Sequence, residues 1–193
     1  STVLRFGTLE LVRGDWRTYT QDLSNPLIPP KSDGQIVVSS VNIEENGQRQ
    51  PVNYVLPPGI SRMFDSSQPQ LLQQNEQALS MKITDLSPAD ARAVYKSTAY
   101  DLRRYKRLQM FAHAEAPIDE SKTLSNGDFS VFIRLGSDYK NNYYEYEVPL
   151  DLTPHSTILY NTNNSADQEK VWPLNNTLNF KLLILCKLLT LNF

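Results

Sequence analysis

The sequence predicts an all-β, jelly-roll-like (galactose-binding-like) β-sandwich with one short helix and long Pro-rich loops, and three stretches carry that prediction. QNEQALSMKITDL, DLRRYKRLQMFAHAEA and FIRLGSDYKNNYYEYEVPL alternate apolar and polar residues. A two-residue period sends successive side chains to opposite faces of a strand. Leu79, Met110, Val131 and Tyr144 are the expected interior of the two sheets. A chain of 193 residues suits a single domain over 1–193, since this length buries roughly 70% of the surface its unfolded form exposes.

The elements follow in order. Leu4 to Thr20 alternates loosely and is broken by Gly14-Asp15, which reads as two short strands around a turn. Trp16, in the cluster with Arg17 and Tyr19, is expected on an edge strand and tucked into the core. Asn25 to Asp33 is Pro-rich loop, and the β-branched run Ile36 to Asn42 is the next strand. Glu44 to Gln70 carries Pro51, Pro57, Pro58 and Pro69. Each lacks an amide donor, which limits regular structure to a short piece near Val52 to Val55. NYVLPPGISR is expected to lie along the body, held by Tyr54, Leu56 and Ile60.

Gln77 to Thr84 is a half-buried strand with Leu79, Met81 and Ile83 on one face. Ser87-Pro88-Ala89-Asp90 reads as a helix start, with a capping serine, a proline where no donor is needed and an aspartate at the positive end of the dipole. The helix is predicted to reach about Tyr95. Leu108, Met110, Ala112 and Ala114 then point inward on one strand, Phe129, Val131, Ile133 and Leu135 on the next, and Tyr144, Tyr146 and Val148 on a third after the SDYKNN turn. Asn161 to Lys170 is expected to be polar loop, with order resuming at Trp172-Pro173.

The other faces of these strands hold the candidate binding surface: Phe111, His113, Phe132, Arg134, Tyr143 and Glu145, beside Glu115 and Glu147. Two readings stand. If the strands are neighbours, an aromatic and charged sheet face could bind a small ligand or a polymer, as in a carbohydrate-binding module of a cell-surface protein. Alternatively the residues form cross-strand pairs, each worth roughly 0.2–1 kcal/mol, under a covering loop such as NYVLPPGI.

Chemistry finds little purchase. Glu145 and Glu147 lie two apart on one strand face, whereas glycoside hydrolysis needs carboxyls that straddle a bond. No GxSxG elbow is present, and the only cysteine, Cys186, sits among leucines, where burial favours the unreactive thiol. His113 and His155 are the only histidines and have no metal-ligand spacing. No enzyme and no cofactor are therefore expected. Asp138, Asn141 and Asn142 could offer oxygens to calcium, against an ordinary Asx-stabilised turn.

The net charge of −2, with both signs scattered, gives no electrostatic reason to expect nucleic acid or an anionic membrane as partner. The charged, aromatic opening STVLRFGTLELVRGDW is unlike a signal peptide. FKLLILCKLLTLNF is apolar but interrupted by Lys181 and Lys187, and shorter than the roughly 20 residues of a spanning helix. It reads as a final core strand or helix, or as the lead into a membrane β-strand.

VNIEENGQRQPVNYVLPPGISR, LLQQNEQALSMKITDL, DARAVYKSTAYDLRRYKRLQMFAHAEA and FIRLGSDYKNNYYEYEVPL together resemble the SprA (Sov) family of Bacteroidetes. The resemblance is dense from about Val41 to Leu152. FGTLELVRGDWRTYTQDL resembles the strand pair preceding that region, and the match fades after Trp172, leaving 173–193 as a more apolar end. The resemblance implies a non-enzymatic structural and interaction domain of a giant outer-membrane translocon that exports folded cargo in type IX secretion and supports gliding motility. It further implies other parts of the barrel, type IX secretion subunits and secreted cargo as partners, an outer-membrane-associated place in the cell envelope, and a domain that does not itself span the membrane. It carries over no catalytic residues.

Overall fold

A computed structural model of the protein describes residues 16–20, 23, 34–64, 73–118 and 124–182. Eight strands appear among them: β1 (Arg17–Thr18), β2 (Gln35–Asn42), β3 (Gln77–Thr84), β4 (Val94–Tyr95), β5 (Arg107–Met110), β6 (Ser130–Gly136), β7 (Tyr143–Pro149) and β8 (Leu178–Lys181). Two short helices, α1 (Ile43–Asn46) and α2 (Ser165–Val171), and two 3-10 turns, Leu102–Arg104 and Leu174–Asn176, complete the regular structure. The chain is β-rich, as the alternation predicts.

The strands pair as four two-stranded sheets, β1–β4, β2–β3, β5–β8 and β6–β7. Each described strand has a single ladder partner, so jelly-roll connectivity is not what these residues display. Residues group into two compact units, Ser1–Val38 with Lys82–Tyr100, and Ser39–Met81 with Asp101–Phe193. In the first unit β1 pairs antiparallel with β4, and the rings of Tyr19 and Tyr95 meet edge-on at 6.1 Å.

The helix expected from Ser87 is a turn in that unit. Asp90 N–H donates to the Ser87 carbonyl at 3.1 Å, and Ala89 takes a φ of 64°, in the left-handed region. Proline at the second position and a positive φ at the third make a type II turn. The same Ser-Pro-Xaa-Asp signature serves either element, and here the chain enters the short strand β4. Trp16 is 48% exposed, contrary to the buried position expected of it, because β1 is only two residues long and pairs with β4 alone.

The core of the second unit lies where the prolines had argued for loop. Val52, Tyr54, Val55, Val171 and Trp172 form the buried cluster, with Val41, Ile43, Leu56, Ala78, Phe111 and Tyr160 packed against it. Trp172 donates its indole N–H to the Val55 carbonyl at 2.8 Å. Burial and a hydrogen bond to Glu76 push the Tyr54 phenol far above its ordinary pKa, so Tyr54 remains a donor. Of the three residues expected to hold this loop, Tyr54 is buried and Leu56 packs on the core, but Ile60 is exposed.

The predicted sandwich interior needs correcting. Leu79 and Met110 are 39% and 37% exposed, and Met81 and Ile83 are exposed beside Leu79; Val131 and Tyr144 are only half-buried. Val131↔Val148, Ile133↔Tyr146 and Leu135↔Tyr144 are register partners within one antiparallel hairpin, so these faces adjoin rather than oppose each other across two sheets. Tyr146 does find one opposing surface, the ring of Phe180 in β8 at 4.7 Å.

Both helices begin at asparagine caps. Asn42 accepts from the Glu45 N–H at 2.8 Å and donates its amide to the Glu45 carboxylate at 3.0 Å. Asn164 accepts from Ala166 N–H at 3.0 Å and starts α2 inside the stretch expected to be loop. In each case an acid three residues after the asparagine lies in the first turn, the pattern that stabilises a helix N-terminus. Thr153, Asn53 and Asn176 are buried polar residues of the same unit. Asn53 and Asn176 each spend both side-chain amide atoms on one backbone unit, those of Tyr160 and Asp151 respectively, at 2.7–2.9 Å.

Candidate functional site

The structure brings four of the six candidate residues together and sends two elsewhere. In the β6–β7 hairpin the register sets Arg134 opposite Glu145, Phe132 opposite Glu147 and Gly136 opposite Tyr143, so all six share one face. A Cβ on Gly136 would lie 2.1 Å from the Asn142 carbonyl oxygen and 2.6 Å from the Tyr143 Cα. Glycine is what lets the hairpin close here.

The Arg134 guanidinium sits 4.3 Å from the Tyr143 ring centroid and 5.1 Å from that of Phe132. It pairs with the Glu145 carboxylate and donates to the Tyr139 carbonyl at 2.7 Å. Its charge is thus met by two ring faces, an anion and a backbone oxygen, and its side chain is only 14% exposed. Two aromatic faces and a partly buried partner place each contact at the stronger end of its class. Ser130 donates to Glu147 at the far end of the same face.

The connecting loop 137–142 is organised by Asp138. Its carboxylate accepts from the Asn141 N–H at 2.6 Å, the Asn142 side-chain amide at 2.6 Å and the Lys140 N–H at 2.9 Å. These donors, the Asn141 N–H foremost, pull its pKa down to about 2. This is the Asx-turn arrangement, with the Asp138 oxygens turned onto the loop's own donors. Among the described residues no group of three or more His, Cys, Asp or Glu side chains could hold a metal ion.

Phe111 and His113 belong to the core instead. Phe111 and His113 meet Trp172 edge-on, with centroids at 6.4 and 5.8 Å, while Met110, expected inside, is exposed. Beyond Met110, where β5 ends, side chains predicted to face outward thus meet Trp172, while Ala112 and Ala114 are half-buried as well. Alternation fixes which residues share a face, and it was the Trp172 platform and its polar rim that decided which face turned inward.

That rim is a network of its own. His113 Nδ1 lies 2.8 Å from the Val171 carbonyl and 3.1 Å from the Thr153 hydroxyl, and Nε2 lies 3.3 Å from Glu115. Arg49 grips both Glu115 oxygens, at 2.5 and 2.7 Å. Burial alone would raise the Glu115 pKa, but the hydrogen bonds from His113 and Arg49 and their charges outweigh it and hold the carboxyl below its usual value. Thr153 N–H donates to the Ala114 carbonyl at 2.8 Å. The network ties the Arg49 loop and the end of α2 to the segment after β5. Arg49 and Thr153 were not foreseen as partners, since nothing in local spacing joins residues so distant in the chain.

The described site is thus two closed polar clusters, each satisfied by protein groups. A family model described as motility related/secretion protein matches residues 1–190. The chain belongs to the SprA N-terminal family. Both clusters and the Trp172 core fall inside the matched span, and the SprA resemblance read from Val41 to Leu152 extends over nearly the whole sequence. No curated protein matches the chain. Among the described residues no helix is long and apolar enough to cross a membrane.

Proposed function

We propose that this SprA-family chain is a non-enzymatic structural and interaction segment of an outer-membrane translocon that exports folded cargo in type IX secretion and supports gliding motility. The family match across residues 1–190 is the observation that carries this reading. The geometry supports it in a second way. Arg134, Glu145, Glu115 and His113, the side chains best suited to chemistry, are engaged with one another and with backbone carbonyls. Such an arrangement rigidifies a surface for contact.

The partners under this reading are other parts of the translocon, secretion subunits and exported cargo, and the place is the cell envelope. A photo-crosslinking residue at Tyr143 or at Arg134, installed in cells that carry the machinery, is expected to capture secretion subunits or cargo. Removing the β6–β7 hairpin is expected to impair secretion and gliding together. Intact secretion and gliding after that removal would refute the proposal. Retention of a glycan by the purified chain, lost in Tyr143→Ala, would replace it with a carbohydrate-binding role. Glycan cleavage abolished by Glu145→Gln would make the protein an enzyme.

A further inference from the structure

The β5–β8 ribbon carries a cationic face that the candidate site does not use. Its antiparallel register sets Arg107 directly opposite Lys181 and Gln109 opposite Asn179. Leu178 is buried and Phe180 stacks on Tyr146, which turns Arg107, Gln109, Asn179 and Lys181 to the other side, where all four are exposed. Arg104 and Lys106, exposed as well, lead into the same end of the ribbon. The Lys106 carbonyl accepts from the Leu182 N–H at 3.1 Å, so this end is hydrogen-bonded shut.

The charge is unbalanced locally although the whole chain is at −2. Residues 102–110 and 172–182 contain no aspartate or glutamate. Arg103 is engaged by Asp101 at 2.8 Å, but Arg104, Lys106, Arg107 and Lys181 take part in none of the ion pairs among the described residues. Like charges directly opposite on paired strands repel and cost stability. An external anion removes that cost.

We infer that this face docks on an anionic, phosphate-bearing lipid surface. Four cations spread over a ribbon face and its end meet many headgroups at once, which suits a surface of distributed phosphates better than one enclosed anion. An acidic polypeptide added as a strand would find only four-residue strands to pair with.

The test is sedimentation of the 193-residue chain with phosphatidylcholine vesicles, with and without phosphatidylglycerol, alongside soluble polyglutamate. Binding is expected only to the anionic vesicles and to weaken as salt is raised. Each cation removed should weaken it about fivefold, so Arg107→Gln with Lys181→Gln should lose about 25-fold. Lys181→Glu turns the repulsive cross-strand pair into an attractive one, and is expected to raise the unfolding midpoint while weakening vesicle binding. Equal binding to neutral vesicles, undiminished binding by the variants, or a Lys181→Glu chain less stable than the parent would overturn the inference. Capture of polyglutamate without vesicle binding would assign the face to an acidic polypeptide instead.

Discussion

Replacing Trp172 by phenylalanine tests the account of the core at its most connected residue. The indole N–H donates at 2.8 Å to the Val55 carbonyl, and Val55 is fully buried. Phenylalanine has no donor, and a buried carbonyl left without one costs about 1–3 kcal/mol. The smaller ring also gives up part of its edge contacts with Tyr54, Phe111 and His113, a further loss of about 1 kcal/mol. The sum is about 2–4 kcal/mol. With a urea dependence of about 1–3 kcal/mol per molar, the midpoint should fall by about 1 M or more. Urea unfolding followed by far-UV circular dichroism measures this without relying on the tryptophan itself. A Trp172→Phe chain within about 0.5 kcal/mol of the parent, the range of inconsequential surface changes, would refute the claim that Val52–Val55 and Val171–Trp172 organise this unit.

Three further outcomes follow from the polar clusters and caps. Glu115 has a folded pKa below the 4.5 of an unperturbed carboxyl, so its contribution to stability is fully present above that value and disappears as pH falls through the folded one. Urea midpoints measured from pH 6 downward should therefore decline less steeply in Glu115→Gln than in the parent. Arg134→Lys keeps the charge but loses the planar fork between the Phe132 and Tyr143 rings. It should cost about 1–2 kcal/mol, seen as faster amide exchange in loop 137–142, while unchanged exchange would count against the cluster. Asn164→Ala removes the cap of α2 and should lower global stability by about 1 kcal/mol, whereas Asn163→Ala, outside the cap, serves as the comparison.

Strands were legible where β-branched residues alternate with polar ones. Ile36 to Asn42 and Gln77 to Thr84 coincide closely with β2 and β3, and SDYKNN lies at the turn between β6 and β7. The core was not legible, because alternation tells which side chains share a face and says nothing of what covers that face. Val52 to Val55 was recognised as the short ordered piece of its loop, yet its burial depends on Trp172, which no local pattern connects to it. The helices were legible in principle: Asn42 with Glu45 and Asn164 with Asp167 present capping signals. Their four and seven residues are too short for an apolar period to confirm them. At the candidate surface, the proximity of Phe132, Arg134, Tyr143 and Glu145 followed from strand period and hairpin turn. The separation of Phe111 and His113 followed from a contact to α2, an element the sequence had been read as lacking.

The way Asn53 and Asn176 each imitate a strand neighbour has a bearing on how this protein ages. In both, one atom of the amide accepts while the other donates. Hydrolysis of that amide to a carboxylate would exchange the donor for an acceptor and set oxygen against the oxygen of Tyr160 or Asp151. Spontaneous deamidation at either asparagine would thus unfasten segments far apart in the chain, without altering a single apolar contact.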